Sequence, residues 1–236
     1  MKAVYLRELQ SYFYTAGAYV YMGVFLLLGS IFCAVNNVAA RSGDVLSLLW
    51  MMGYLWMLLT PILTMRSFAG DRRQHTDQLL YTSPAPLTGI VLGKYLAACT
   101  VLMITVLLSL VYVLIIALWG RVYPGELLAG YTGFILQGCA FIAIDLYLSV
   151  RSRSTMTAAV TAFGVNLGLW LIDVLNAAVT MAPLNAVLEF ISPYQRCTPF
   201  RLGQMSYASV AYFAAVIFAM LFLCVRHLDM RRWRSV

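Results

Sequence analysis

Charge is scarce in this chain. Asp, Glu, Lys and Arg make up 11% of its 236 residues, against 62% hydrophobic residues and a mean hydropathy of +0.83. So little polar material excludes a water-soluble globule and leaves no room for a separate soluble domain. Histidine occurs only at His75 and His227, and neither HExxH nor GxSxG is present, so an intramembrane hydrolase lacks its catalytic set. The phosphate-cradling loop GxxxxGK[ST] is missing too. The one Gly-Lys pair, Gly93-Lys94, is followed by Tyr95 and preceded by Gly89 at the wrong distance, so ATP is expected to bind elsewhere. The five cysteines, Cys33, Cys99, Cys139, Cys197 and Cys224, have no metal-ligand spacing and imply neither a disulfide framework nor a zinc site.

What is abundant is long apolar sequence. Runs long enough to cross a bilayer, which takes roughly 20 residues, are expected at Gly17–Val38, Val45–Thr64, Leu96–Trp119, Leu127–Val150, Thr155–Val179 and Ala208–Val225. Basic residues set the orientation. With the N-terminus in the cytoplasm, Lys2, Arg7, Arg66, Arg72, Arg73, Lys94, Arg151, Arg153, Arg226, Arg231, Arg232 and Arg234 lie inside, and only Arg41, Arg121, Arg196 and Arg201 lie outside. The positive-inside rule therefore predicts both termini in the cytoplasm. The excess of basic residues, net +7, reads as topology and not as a nucleic-acid surface. The first run continues without a small-residue cleavage site, as a retained anchor does.

Three segments outside the spans carry information. In Met1–Ala16 the apolar residues Tyr5, Leu6, Leu9, Tyr12, Phe13 and Ala16 alternate with polar ones as in a helix lying in the interface, which either transmits movement from a partner or only anchors the first span. The connection Met65–Gly89 is expected to hold a short helix over Ser67–Tyr81, stopped by Ser83-Pro84-Ala85-Pro86. Its mixture of Phe68, Leu79 and Leu80 with Arg72, Arg73, His75 and Asp77 suits either a docking surface or a solvated connector. The stretch Thr180–Tyr207, expected on the outside, has apolar pieces broken by prolines and suits re-entry if buried against protein.

Within the spans, Asp145 and Asp173 stand out, because a carboxylate near mid-bilayer costs about 3 kcal/mol on insertion scales. Asp145 is expected to pair with Arg151 or Arg153; Asp173 shares its span with Asn166 and Asn176, and a polar path is the alternative for all four. Gly164 and Gly168 have GxxxG spacing and are expected to pack within the chain. Thr60-Pro61 is a candidate hinge before the cytoplasmic connection.

The run Leu59-Thr60-Pro61-Ile62-Leu63-Thr64-Met65-Arg66-Ser67-Phe68-Ala69, then Asp71-Arg72, Thr76, Leu79-Leu80, Thr82-Ser83-Pro84 and Ile90-Val91-Leu92-Gly93-Lys94, resembles the ABC-2 type permeases, and among them the gliding-motility and nitrous-oxide-reductase-maturation branch. Weaker likeness runs through Arg7-Glu8-Leu9, Ser11-Tyr12-Phe13 and Ile191-Ser192-Pro193. The resemblance implies an all-α subunit of six transmembrane helices, with an interfacial elbow helix and a coupling helix at about 67–83. It implies a second permease, identical or paralogous, and one ATPase subunit docked on each, with ATP and Mg bound there and not by this chain. Phe68, Asp71, Arg72, Thr76, Leu79 and Leu80 become the expected ATPase contacts. Gly70-Asp71 departs from the paired acidic residues of the usual pattern, and His75 and Gln78 replace a glycine and a glutamate. The expectation is an exporter subunit in the cytoplasmic membrane of a bacterium, moving a peptide, antibiotic, lipid or polysaccharide. The alternative is the membrane substrate-binding component of a vitamin uptake system.

Overall fold

The computed structural model describes residues 2–73, 86–118, 123–178 and 192–232, and all regular structure among them is helical. Six helices are long and apolar enough to span a membrane: α2 (Ala16–Cys33, extended by a wide π turn over Ala34–Val38), α3 (Val45–Thr64), α5 (Leu87–Ile116), α6 (Pro124–Arg151), α7 (Thr155–Ala178) and α10 (Tyr207–Arg232). Ahead of them lies α1 (Lys2–Tyr14); α4 (Ala69–Arg73) follows α3, and α8 (Pro193–Arg196) and α9 (Thr198–Arg201) precede α10.

Local chemistry sets the helix ends. Asp44 caps α3 by accepting from the Ser47 amide at 3.1 Å. Pro124 opens α6 where a missing N–H costs nothing, with Glu126 in the first turn against the helix dipole. Buried Asn37 ties the connection after α2 by donating to the Ser42 and Asp44 carbonyls at 3.2 and 2.9 Å. Helix α5 begins at Leu87, nine residues ahead of the apolar run expected to form the third span, and its 30 residues extend about 45 Å, longer than a roughly 30 Å hydrocarbon core. Lys94 therefore belongs to this helix.

The centre of the bundle is α3 and α6, buried over 61% and 67% of their spans, whereas α7 and α10 are peripheral at 17% each. Lipid tails are as apolar as leucine, so packing quality holds such helices together. Trp56 of α3, fully buried, lies between Phe25 of α2 at 4.6 Å and Phe134 of α6 at 4.7 Å. Glycines let α6 meet its neighbours closely: Gly133 faces the Phe200 ring of α9, and Gly138 faces Leu102 and Trp56. Tyr194 of α8 stacks on Tyr54 of α3, centroids 5.0 Å apart, so the described part of the 180–207 stretch enters the end of the bundle; residues 180–191 lie outside the described residues. Gly164 and Gly168 do not pack as expected, since among the described residues a Cβ at either would meet nothing within 4 Å. Their face of α7 looks away from the other described helices.

These two kinds of glycine predict opposite behaviour. In Gly133→Ala the new methyl would sit 2.5 Å from the Phe200 ring, a clash expected to cost about 1–3 kcal/mol. Gly164→Ala is expected to be neutral or to stabilise by up to ~1 kcal/mol, because alanine forms helix better. Apparent melting temperatures of the two variants in one detergent, compared with the parent chain, check both.

Candidate functional site at the α1 end of the bundle

Helix α1 lies along the start of α5, and the pair Gly93-Lys94 explains how. A side chain at Gly93 would press on Val4 and the Tyr5 backbone at 3.2–3.3 Å, so glycine lets α1 approach. Two turns further along α5, the hydroxyls of Tyr5 and Thr100 meet at 3.0 Å. Beside this seam the Lys94 side chain is fully buried. Its Nζ donates to Glu8 Oε1 at 2.7 Å and to the Ser67 carbonyl at 2.6 Å, and lies 2.7 Å from Asp71 Oδ2. It also sits 5.0 Å from the centre of the Phe68 ring, within cation–π range. Arg7, more exposed, reaches to 3.9 Å from Asp71 Oδ1. Two cations and two carboxylates thus balance, and the ammonium of α5 is coordinated by oxygens from α1 and from the stretch 67–71. Burial next to this cluster, and then the charge of Glu8, hold the Tyr12 phenol well above its usual pKa.

The stretch between α3 and α4 is pinned on its other side by α6. Ser149 Oγ accepts from the amides of Phe68 and Ala69, each at 3.3 Å, and so caps α4 from a different helix. Arg72 donates to the Ser152 and Val150 carbonyls at 2.5 and 2.7 Å, where α6 ends and its dipole favours a cation. Asp71 and Arg72 are adjacent in sequence yet reach in different directions. Asp71 reaches α1 and α5; Arg72 reaches the end of α6.

This placement gives three of the expected ATPase contacts partners within the chain itself. Phe68 is 7% exposed and belongs to the chain's own core, and Asp71 and Arg72 are engaged within the chain. Thr76, Leu79 and Leu80, with the remainder of the expected coupling helix, lie outside the described residues.

A second polar group sits deeper. Pro61 has no N–H to give the carbonyl of Met57 four residues earlier. Asn166 of α7 turns its amide toward that freed oxygen at 3.5 Å and donates to Asp145 Oδ1 of α6 at 3.0 Å. The expected hinge and two of the expected polar residues therefore meet. Asp145 is held by Asn166, not by Arg151 or Arg153, because the fold buries it against α7 (1% exposed) instead of letting it reach the helix end. Asp173 does not join them. Seven residues along α7, about 10 Å, it accepts from Ser192 at 3.4 Å beside α8, and Asn176 lies further toward the same end.

Comparison with protein families gives one decisive finding: the profile of the ABC-2 family transporter proteins matches residues 51–226, well over half of the chain. The chain belongs to the ABC-2 family. It is thus a multi-pass permease component of an ABC transporter, and such components associate with an ABC ATPase. A search of curated proteins found no match. The matched stretch of this ABC-2 chain takes in Asp71, Lys94 and Ser149, while Glu8 and Arg7 of α1 precede it.

Sequence reasoning counted Lys94 as a flanking charge and left Glu8 unassigned, although the signal existed. Glu8 shares a helical face with Tyr5 and Tyr12, and Lys94 shares one with Val91, Ala98 and Val101. A charge on an apolar face is a charge that will need a partner.

Lys94→Met leaves two carboxylates facing each other without their cation and is expected to cost about 3–5 kcal/mol. Adding Glu8→Gln and Asp71→Asn should recover part of that loss. Asn166→Leu strands Asp145 and the Met57 carbonyl, for an expected ~1–3 kcal/mol. Thermal unfolding in detergent checks each; a Lys94→Met chain as stable as the parent would remove the cluster from any structural role.

Proposed function

We propose that this permease pairs with a second one, identical or paralogous, and that each docks one cytoplasmic ATPase through the connection 67–83, with direct contact made beyond Arg73. The α1 end faces the cytoplasm, a reading supported by the placement of 12 of the 16 Lys and Arg residues on that side of six spans. ATP and Mg belong to the partner ATPase. Its closure displaces the docked connection, and the complex moves its substrate (of the peptide, antibiotic, lipid or polysaccharide class) outward across the cytoplasmic membrane of a bacterium.

One observation carries this reading: Asp71 and Arg72 tie the start of the connection to α1 and α5 on one side and to α6 on the other. A push on that stretch cannot be absorbed locally. It must move three helices or break buried ionic contacts, and the second course is strongly unfavourable. Phe68 then serves transmission from inside the bundle, and contact with the ATPase falls to residues beyond Arg73.

Two variants separate docking from transmission. Leu79→Asp is expected to abolish co-purification of the ATPase. Asp71→Asn combined with Arg72→Met is expected to leave the ATPase attached while transport falls, read as ATP hydrolysed without substrate moved in reconstituted vesicles. A Leu79→Asp permease that still holds its ATPase and transports normally would defeat the docking assignment. Phe68→Asp makes a poor test, because its expected outcome is loss of fold.

A further inference from the structure

Helices α7 and α10 both pack along α6 but scarcely on each other, and the space left between them is a cavity of about 250 Å³. Phe141 and Ile144 of α6 form its floor, Leu169 of α7 one wall, and Phe213, Val216 and Met220 of α10 the other. Pro193 closes the end toward α8. We propose that this cavity is a lipid site, into which a phospholipid of the surrounding bilayer inserts one acyl chain.

The depth, the chemistry and the size each point to that ligand. Ile144 is seven residues from the end of α6, Phe213 six from the start of α10, and Leu169 fourteen from the start of α7, which places the walls about 10 to 20 Å along their helices and inside the hydrocarbon zone. Water is a poor occupant, since an ordered water needs two to four polar partners and these walls are apolar. An extended peptide backbone is excluded by the same lack of partners at membrane depth. The space exceeds the ~150 Å³ at which an apolar protein cavity already takes up benzene. The flanking helices are the two most peripheral spans, so the cavity opens toward lipid and not toward the bundle centre. A chain inserted there would fill the gap between α7 and α10 and supply the contacts that these helices do not make with each other.

The site is independent of ATPase docking, and so is its test. The full chain is reconstituted in vesicles of a single phospholipid carrying a photoreactive diazirine midway along one acyl chain, with no other amphiphile and no ATP, and the labelled residues are mapped by mass spectrometry. Labelling of Ile144, Leu169, Val216 or Met220 several-fold above that of the outward-facing Leu171 and Phe218 is the expected result. Val216→Trp, which fills the space, should reduce cavity labelling several-fold while leaving Phe218 labelling and the melting temperature unchanged; Leu169→Trp serves if that variant does not fold. Uniform labelling of cavity and outer face, or labelling insensitive to both tryptophans, would overturn the proposal. Efficient disulfide formation between two copies through Val216→Cys would assign it to a partner permease instead.

Discussion

An ammonium group removed from water is tolerable only where oxygen atoms surround it and opposite charge balances it. Lys94 meets that condition with the Glu8 carboxylate from the N-terminal helix, the Ser67 carbonyl from the turn after α3, and Asp71 at the start of α4. Glu8, Lys94 and the stretch 67–71 are far apart in the chain, so each can be in place only if the others are. The angle at which α1 lies on α5, the path of the chain leaving α3 and the position of α4 are therefore one arrangement and not three. The exposed Arg7 completes the charge balance at the rim.

Helix α6 distributes whatever happens in that arrangement. At one end its Ser149 and its last carbonyls hold the same connection from the opposite side. One turn further in, Asp145 meets Asn166 beside the carbonyl freed by Pro61, so the proline in α3 is met by a polar group from α7 at the place where it weakens its own helix. Toward the far end Gly133 admits Phe200 from the segment before α10. A helix this well buried moves as a unit, because close-packed contacts do not deform continuously. The peripheral α7 and α10 are less constrained, and the gap between them is where the bilayer meets the protein most intimately.

Much of this was legible from residue order. The number of spans, the apolar character of the chain and the proline and glycine signals follow from composition and run length, because lipid tolerates only helices whose backbone groups are satisfied internally. The run from Leu59 to Lys94 also pointed to the ABC-2 permeases, and the family profile agrees. Less legible was the role of individual charges. Lys94 read as a flanking cation because it precedes the apolar run; the helix that begins at Leu87 carries it, and α1 covers it there. Nor was the burial of Phe68 legible from its place in a charged loop: the turn that ends α3 folds it back onto the bundle.

By itself, then, the amino-acid order determined the solvent, the helix count and the family, since each is a property of sequence averaged over twenty or more residues. Which charge meets which was decided only in three dimensions. Glu8 and Lys94 are separated by 86 positions, and no local rule reports a partner at that range. The same holds for Asp145, whose nearest arginines in sequence lie along its own helix axis while its actual partner stands across a helix interface. Electrostatic pairing in a membrane protein is settled by which faces are buried together, and that is a property of packing.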